Sequence, residues 1–432
     1  MSLSIHKDYV GQVISWPGKV CFIVLSSGLG GTETLAIRQS RWMRRNNITT
    51  AIITRAGVMN AEYGEAFDYV YILDDNEVDP GSLLMDEWYR LLNRLADGLR
   101  SSGGWHFLVF GQDGLFLASE LSTRLPGSAC SIYLIDDVRY GPARLEHVES
   151  MSRHGLFLSM NEACLTAHRV NYGYDLENAV VIPLPITVAP DARAIRSSAR
   201  ICVVTVARLV PMKGYVEGLI SAIAVAVREE QLDVELRVIG SGPLILRLKW
   251  MAFRYGISDR VTFTGAVSYS NLPAIYGTAD IFVGMGTTVL EAASHGVPVI
   301  IAEAYTKQFR TPGLFSRQGG YELGEPSVTE VSPMGYSLLV SLLKDSSLRA
   351  TEGEAGKSRV LGQFSEDHIM TRFVGHLRNN ARPVINIPSP GQDLLCGETK
   401  RYLKRIFRGS EKAASLRRRC RAVWDAWKTI VS

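Results

Sequence analysis

No stretch of this 432-residue chain approaches the roughly 20 consecutive apolar residues that a membrane-crossing helix needs, although 46% of its residues are apolar. The first dozen residues also lack an apolar core of signal-peptide length, so the chain is expected to stay in the cytosol. Cysteine is sparse. The six thiols (Cys21, Cys130, Cys164, Cys202, Cys396, Cys420) form no CxxC pair, which removes the signature of a zinc cluster or a disulfide framework. Several lie inside apolar runs, where a buried free thiol is expected. No Asp-x-Asp occurs, and the adjacent pairs Asp74-Asp75 and Asp136-Asp137 have no evident ligand partners, so no metal site is expected. None of the eight histidines falls in a recognisable motif, and His295 reads as a helix C-terminal residue.

The surplus of charge is small, a net +4, and unevenly placed. Residues 397–432 carry eleven Lys or Arg against three Asp or Glu, a net +8, while the rest carries 36 against 40, a net −4. The basic character is local. It fits one anionic partner surface near the C-terminus and not a nucleic-acid binder.

What the chain does have is alternation. Short apolar runs at residues 19–25, 49–54, 69–73, 107–110, 131–135, 156–159 and 179–182 read as strands, with helix-period segments at 32–45, 83–99 and from Asn161. A linker follows, marked by Pro183, Pro185, Pro190 and the polar run 193–200. The pattern then restarts, with strands at 201–206, 234–239, 261–263, 280–283 and 297–301. The expected class is α/β, with two Rossmann-like α/β/α domains facing a cleft lined by the C-terminal ends of their strands. Residues 1–190 form the first, 201–378 the second, and 379–432 a basic amphipathic tail.

Two glycine turns sit where such a fold would bind phosphate. Gly28, Gly30 and Gly31 follow the first strand and open a helix, where free N–H groups favour an anion. A dinucleotide fingerprint would need a third glycine where Glu33 stands, and Arg55 occupies the place of the ribose-binding acid. Arg55 would suit a 2′-phosphate, so an NADP-dependent enzyme is one alternative. Gly240-Ser241-Gly242-Pro243 forms a second strand–turn–helix junction.

Residues 203–302 contain VVTVARLVPMKG, LRVIGSGP and RVTFTGAVSYSNLPAIYGTADIFVGMGTTVLEAASHGVPVIIA in order. This string resembles the nucleotide-sugar half of GT-B retaining glycosyltransferases, group 1 or family 4. SSGLGGTETLAI and SMNEACLTAHRVNYGYDLENAVVIPLPIT resemble that family's first-domain loop and domain-closing segment, so the likeness spans roughly residues 18–377. It implies a sugar moved, with retention and without metal or other cofactor, from a nucleotide-diphosphate sugar to a glycan or lipid-linked acceptor in surface polysaccharide biosynthesis. It also assigns roles. Arg208 and Lys213 would hold the diphosphate and offset the leaving-group charge. Gly30, Gly31 and Gly242 would line the donor site, and Gly286, Thr287 and Thr288 would present a helix N-terminus to phosphate. Glu291 would accept from the ribose, and Val267 would lie in the strand-end segment that reads the base. Asp137 would be the cleft carboxylate of the first domain, with Asp136 where the family often has histidine.

One position departs from the family. Its first glutamate of a spaced pair falls eight residues before Glu291, where this chain has Val283, and the loop that would hold it is missing. Glu303, Glu322 and Glu325 are candidate replacements. The loss also motivates a second alternative, a catalytically inactive homologue that binds nucleotide or a partner protein.

In the tail, Leu416, Cys420, Val423, Trp424, Trp427 and Ile430 recur at helical spacing among Arg417, Arg418, Arg419, Arg421 and Lys428. That is the composition of an interfacial helix, so a peripheral site on the inner face of the cytoplasmic membrane is expected. Arg38, Arg41 and Arg45 around Trp42 read as a solvated helix face.

Overall fold

The computed structural model describes residues 10–25, 31–57, 60–74, 85–100, 103–111, 114–134, 142–188, 200–325 and 331–383. Asp136, Asp137, Gly28, Gly30, Cys396, Cys420 and the basic tail lie outside the described residues.

The apolar runs of the first half become seven strands: β1 (Lys19–Val24), β2 (Thr49–Arg55), β3 (Tyr69–Leu73), β4 (His106–Phe110), β5 (Ala129–Leu134), β6 (Phe157–Ser159) and β7 (Val180–Val181). All pair in parallel, in the order β3-β2-β1-β4-β5-β6-β7. Runs such as Val20–Val24 have no polar alternation because helices cover both faces of a parallel sheet, and these five side chains are buried. The second half supplies β8 (Ile201–Val206), β9 (Val234–Ile239), β10 (Val261–Gly265), β11 (Ile281–Gly284), β12 (Val299–Ile301) and β13 (Gly313–Leu314), ordered β10-β9-β8-β11-β12-β13. Five are parallel. β13 runs antiparallel against β12, at Ile300–Leu314 and Ile301–Gly313, and had no counterpart in the sequence pattern.

In each sheet the strand order reverses beside the first strand of the domain. The two crevices open after β1 and β4, and after β8 and β11, where open α/β sheets bind ligands. The glycine loops and the Arg208–Lys213 segment therefore sit where topology predicts a ligand.

The last helix among the described residues, Glu366–Asn379, returns to the first sheet. The Trp42 indole N–H donates to Asp367 at 2.7 Å, Arg45 pairs with Glu366 at 2.5 Å, and the Phe373 ring lies 5.9 Å from that of Tyr133. Beyond it the chain is pinned by Cys130 N–H to Arg382 O at 3.2 Å and Gly11 N–H to Pro383 O at 2.9 Å. Cys21, Cys130, Cys164 and Cys202 are free and buried, and burial pushes the Cys21 and Cys130 thiols far up, as expected of inert core groups. No helix among the described residues is long and apolar enough to cross a membrane.

Candidate functional site

β8 delivers Arg208 two residues past its end, exposed, and a short turn at Pro211–Lys213 brings Lys213 back to the same rim, half-buried. Among the described residues, no carboxylate lies within ion-pair distance of either cation. Burial, seconded by Arg208, lowers the Lys213 ammonium to about 8, with Glu325 opposing the shift. Two like charges held together without an ion-pair partner are costly unless an anion joins them, which is what a diphosphate would do.

The neighbouring turn shapes this loop. Gly242 has φ 152°, and a Cβ there would stand 2.5 Å from the Leu209 carbonyl oxygen. Leu209 N–H donates to Ser241 O at 2.8 Å. The glycine at 242 thus lets two backbones touch and sets the path of residues 208–210.

β11 ends in Gly284, and only Met285 and Gly286 separate it from the helix Thr287–Ser294. Gly286 takes φ 72°, and no atom would crowd a Cβ there within 4 Å, so the turn is open on that side. The first-turn N–H groups of Thr287 and Thr288 have no intrahelical acceptor, as at any helix start. From the opposite domain Gly31 comes to this turn, its Cβ position 3.7 Å from Thr287 Oγ1. The structure therefore gathers Arg208, Lys213, Gly242, Gly286, Thr287, Thr288 and Gly31 around one crevice. Val267, half-buried, follows Gly265, whose carbonyl accepts from Gly240 N–H at 2.8 Å.

Glu291 lies one turn into that helix and is 8% exposed. Its carboxylate is already engaged. Oε1 accepts from Arg38 Nη2 at 3.2 Å and from the Tyr269 hydroxyl at 3.1 Å, and Oε2 accepts from the Tyr276 hydroxyl at 2.7 Å. Arg38 comes from the first domain, donates also to Tyr269 Oη at 2.7 Å and to the linker carbonyl of Pro185 at 2.9 Å, and is only 5% exposed. This corrects the expectation of a solvated face around Trp42. Arg38 and Trp42 are buried against the second domain and the last helix, while Arg41 and Arg45 remain exposed. Sequence pattern missed Arg38 because an arginine within a helix is ordinarily surface. The one available sign was its position in line with the buried Thr34 and Ile37 on the helix. His295 ends the Glu291 helix as expected, its Nδ1 2.9 Å from Glu291 O.

Val283 is fully buried within β11, paired with Ile300 of β12. A carboxylate at that position would be in the sheet, so the family's first glutamate has no equivalent on this strand. Among the described residues no group of three His, Cys, Asp or Glu could hold a metal ion.

Two Rossmann-like sheets with interdomain contacts at their C-terminal strand ends define a GT-B fold. A glycosyltransferase from Rickettsia africae ESF-5 superposes with a TM-score of 0.64 over 83% of this chain and 97% of its own, at 12% identity. Sucrose-phosphate synthase from Thermosynechococcus elongatus gives 0.61 over 84% and 98%, at 14% identity. Residues 192–307 match the family model "Glycosyl transferases group 1". A GDP-mannose-dependent alpha-(1-6)-phosphatidylinositol monomannoside mannosyltransferase of Mycobacterium tuberculosis is 30% identical over 215 residues, 46% of this chain and 52% of that protein. Its monoacylated-substrate counterpart in Corynebacterium glutamicum is 29% identical over 188 residues, 40% of this chain and 46% of its own. The chain thus spans about half the length of the curated relatives it matches.

Proposed function

We propose that this protein transfers a sugar from a nucleotide-diphosphate sugar to a glycan or lipid-linked acceptor, with retention and without a metal, in the assembly of surface polysaccharide or glycolipid. The observation that carries this is that Arg208 and Lys213 follow the end of β8 while the open glycine turn at Gly286 follows the end of the adjacent strand β11, with Thr287 and Thr288 beginning a helix there. Two cations and a helix N-terminus stabilise a diphosphate when bound and more so as it departs with extra charge. The mannosyltransferase relatives make GDP-mannose the first donor to try. Asp137 is the proposed acceptor-side carboxylate, and the basic tail the proposed contact with anionic lipid on the cytoplasmic face.

Calorimetry with GDP and UDP tests the donor grip. Arg208→Ala and Lys213→Ala should each weaken the preferred diphosphate at least tenfold, about 1.4 kcal/mol. Affinity unchanged in both variants overturns the assignment. The already engaged Glu291 carboxylate and the missing first glutamate support a second possibility, a homologue that binds nucleotide without turnover. Release of nucleoside diphosphate by the purified protein, supplied with membrane extract as acceptor, eliminates it.

A further inference from the structure

The shortened connection between β11 and its helix leaves room beside the glycine turn, and another part of the chain fills it. Gly286 N–H donates to Leu323 O at 2.7 Å, and Ala304 N–H donates to Gly324 O at 2.8 Å. A Cβ at Gly324 would lie 2.6 Å from the Met285 Cβ, so only glycine lets the segment press onto the turn. The segment is fastened from behind by Arg359. Its guanidinium donates to Phe315 O at 3.0 Å and to the carbonyls of Gln318 and Gly320, and stacks over the Phe315 ring at 4.9 Å.

This placement sets Glu325 in the cleft. Leu323 N–H donates to Glu325 Oε2 at 2.7 Å, which folds the carboxylate onto its own turn and fixes it. Residues 304–306 bridge to the Lys213 turn, through Tyr305 N–H to Met212 O at 2.9 Å. From the other domain comes Asn161, which caps the helix Glu162–Tyr172. Its amide Nδ2 is buried and meets no acceptor at hydrogen-bond distance; burial pushes the Glu325 carboxyl above its ordinary range, and Asn161 is near enough to oppose that shift. Glu325 therefore has the Lys213 ammonium on one side and a buried donor of the first domain on the other.

The two other candidates do not share this position. Glu322 turns toward Gly320 and acts on Arg359. Arg208 and Glu325 are the charged groups that act on Lys213, whereas Glu303, just past β12, has a buried Oε2 that meets no hydrogen-bond donor.

We propose that Glu325 is the carboxylate that binds the hydroxyls of the transferred sugar, replacing from the 320–325 segment the glutamate whose loop this chain lacks. The proposal rests on the donor assignment above. A carboxylate beside the diphosphate site accepts hydrogen bonds from a sugar attached to that diphosphate, and acts on the diphosphate alone only indirectly, through the Lys213 ammonium. It would set which sugar is accepted.

The test compares GDP with GDP-mannose, and UDP with UDP-glucose, on the full chain by calorimetry. Glu325→Gln should hold the affinity for the bare diphosphate within threefold and weaken the sugar-bearing donor at least tenfold. Glu325→Asp, which keeps the charge but shortens the reach, should fall between, and serves if the glutamine variant does not fold. Glu303→Gln and Glu322→Gln should match the wild type. Unchanged donor preference in both Glu325 variants overturns the proposal. So does an equal loss of diphosphate and donor, or a loss of preference in the Glu303 or Glu322 variant instead. A wild type that binds none of the four ligands sinks the donor assignment itself, and Glu325's role with it.

Discussion

Lys213 sits under opposing influences whose balance makes the site sensitive to pH. Burial and Arg208 lower its ammonium to about 8 from an ordinary 10.5, and Glu325 raises it. Between those two values the unfolded chain holds a proton that the folded, nucleotide-free chain has released. This group's penalty on folding is therefore full below about pH 8 and is relieved as pH rises toward 10.5. Diphosphate binding has the opposite trend, because it uses the protonated ammonium. Nucleoside diphosphate affinity should fall as pH rises through about 8, with proton uptake on binding. Calorimetry in buffers of different ionisation enthalpy reads that uptake. Lys213→Arg, which stays charged, should flatten the fall; a profile as steep as the wild type's would assign the titration elsewhere.

At the scale of elements, the helix Gly31–Arg45 does more than cover the first sheet, because Arg38 carries it to Glu291 in the second domain. Removing one partner of a buried pair leaves the other charge without compensation, at a cost of about 3–5 kcal/mol. Arg38→Met should approach that loss in urea unfolding, with the Glu291 carboxylate left to its two tyrosines. Arg41→Ala should cost no more than about 0.5 kcal/mol, since Arg41 meets Glu65 only at 3.8 Å on the surface. Similar losses for both would show that the interdomain pair contributes little.

The parallel strands were legible because residues such as Phe22, Ile23, Val203 and Val204 are buried on both faces and leave continuous apolar runs. The helix Leu115–Arg124 left no such trace. It is buried over most of its circumference, from Leu115 through Ser119, so no polar stripe marks its period. β13 is two residues long and is defined by pairing alone. At the site, Arg208, Lys213 and Gly286 follow strand ends at fixed short distances, so order along the chain was enough to locate them. Arg38 meets Glu291, and Asn161 approaches Glu325, from segments far apart in sequence, and only tertiary packing makes each pair neighbours.

For the molecule as a whole, the chain crosses from the first domain to the second and then back. The helix Glu366–Asn379 brings Phe373 and Met370 into the core that contains β1 and β4. Ending the chain after Pro383 should preserve a single cooperative unfolding transition and, if the basic tail holds lipid, release the protein from anionic vesicles. Ending it after Gln363 should uncover that core, with dye binding to exposed apolar surface and loss of the cooperative transition. Persistent vesicle binding without the tail would remove its proposed role. An intact transition without the last helix would show the first domain complete in itself.

The returning helix also sets an order of events during synthesis. Domains ordinarily fold as they emerge, the N-terminal one first. Here the surface around Trp42, Arg45 and Tyr133 stays bare until residues 366–383 have left the ribosome, by which time the second domain has already emerged. The half of the molecule made first is the half finished last. Its exposed core edge during that interval is where a nascent-chain chaperone would find this protein.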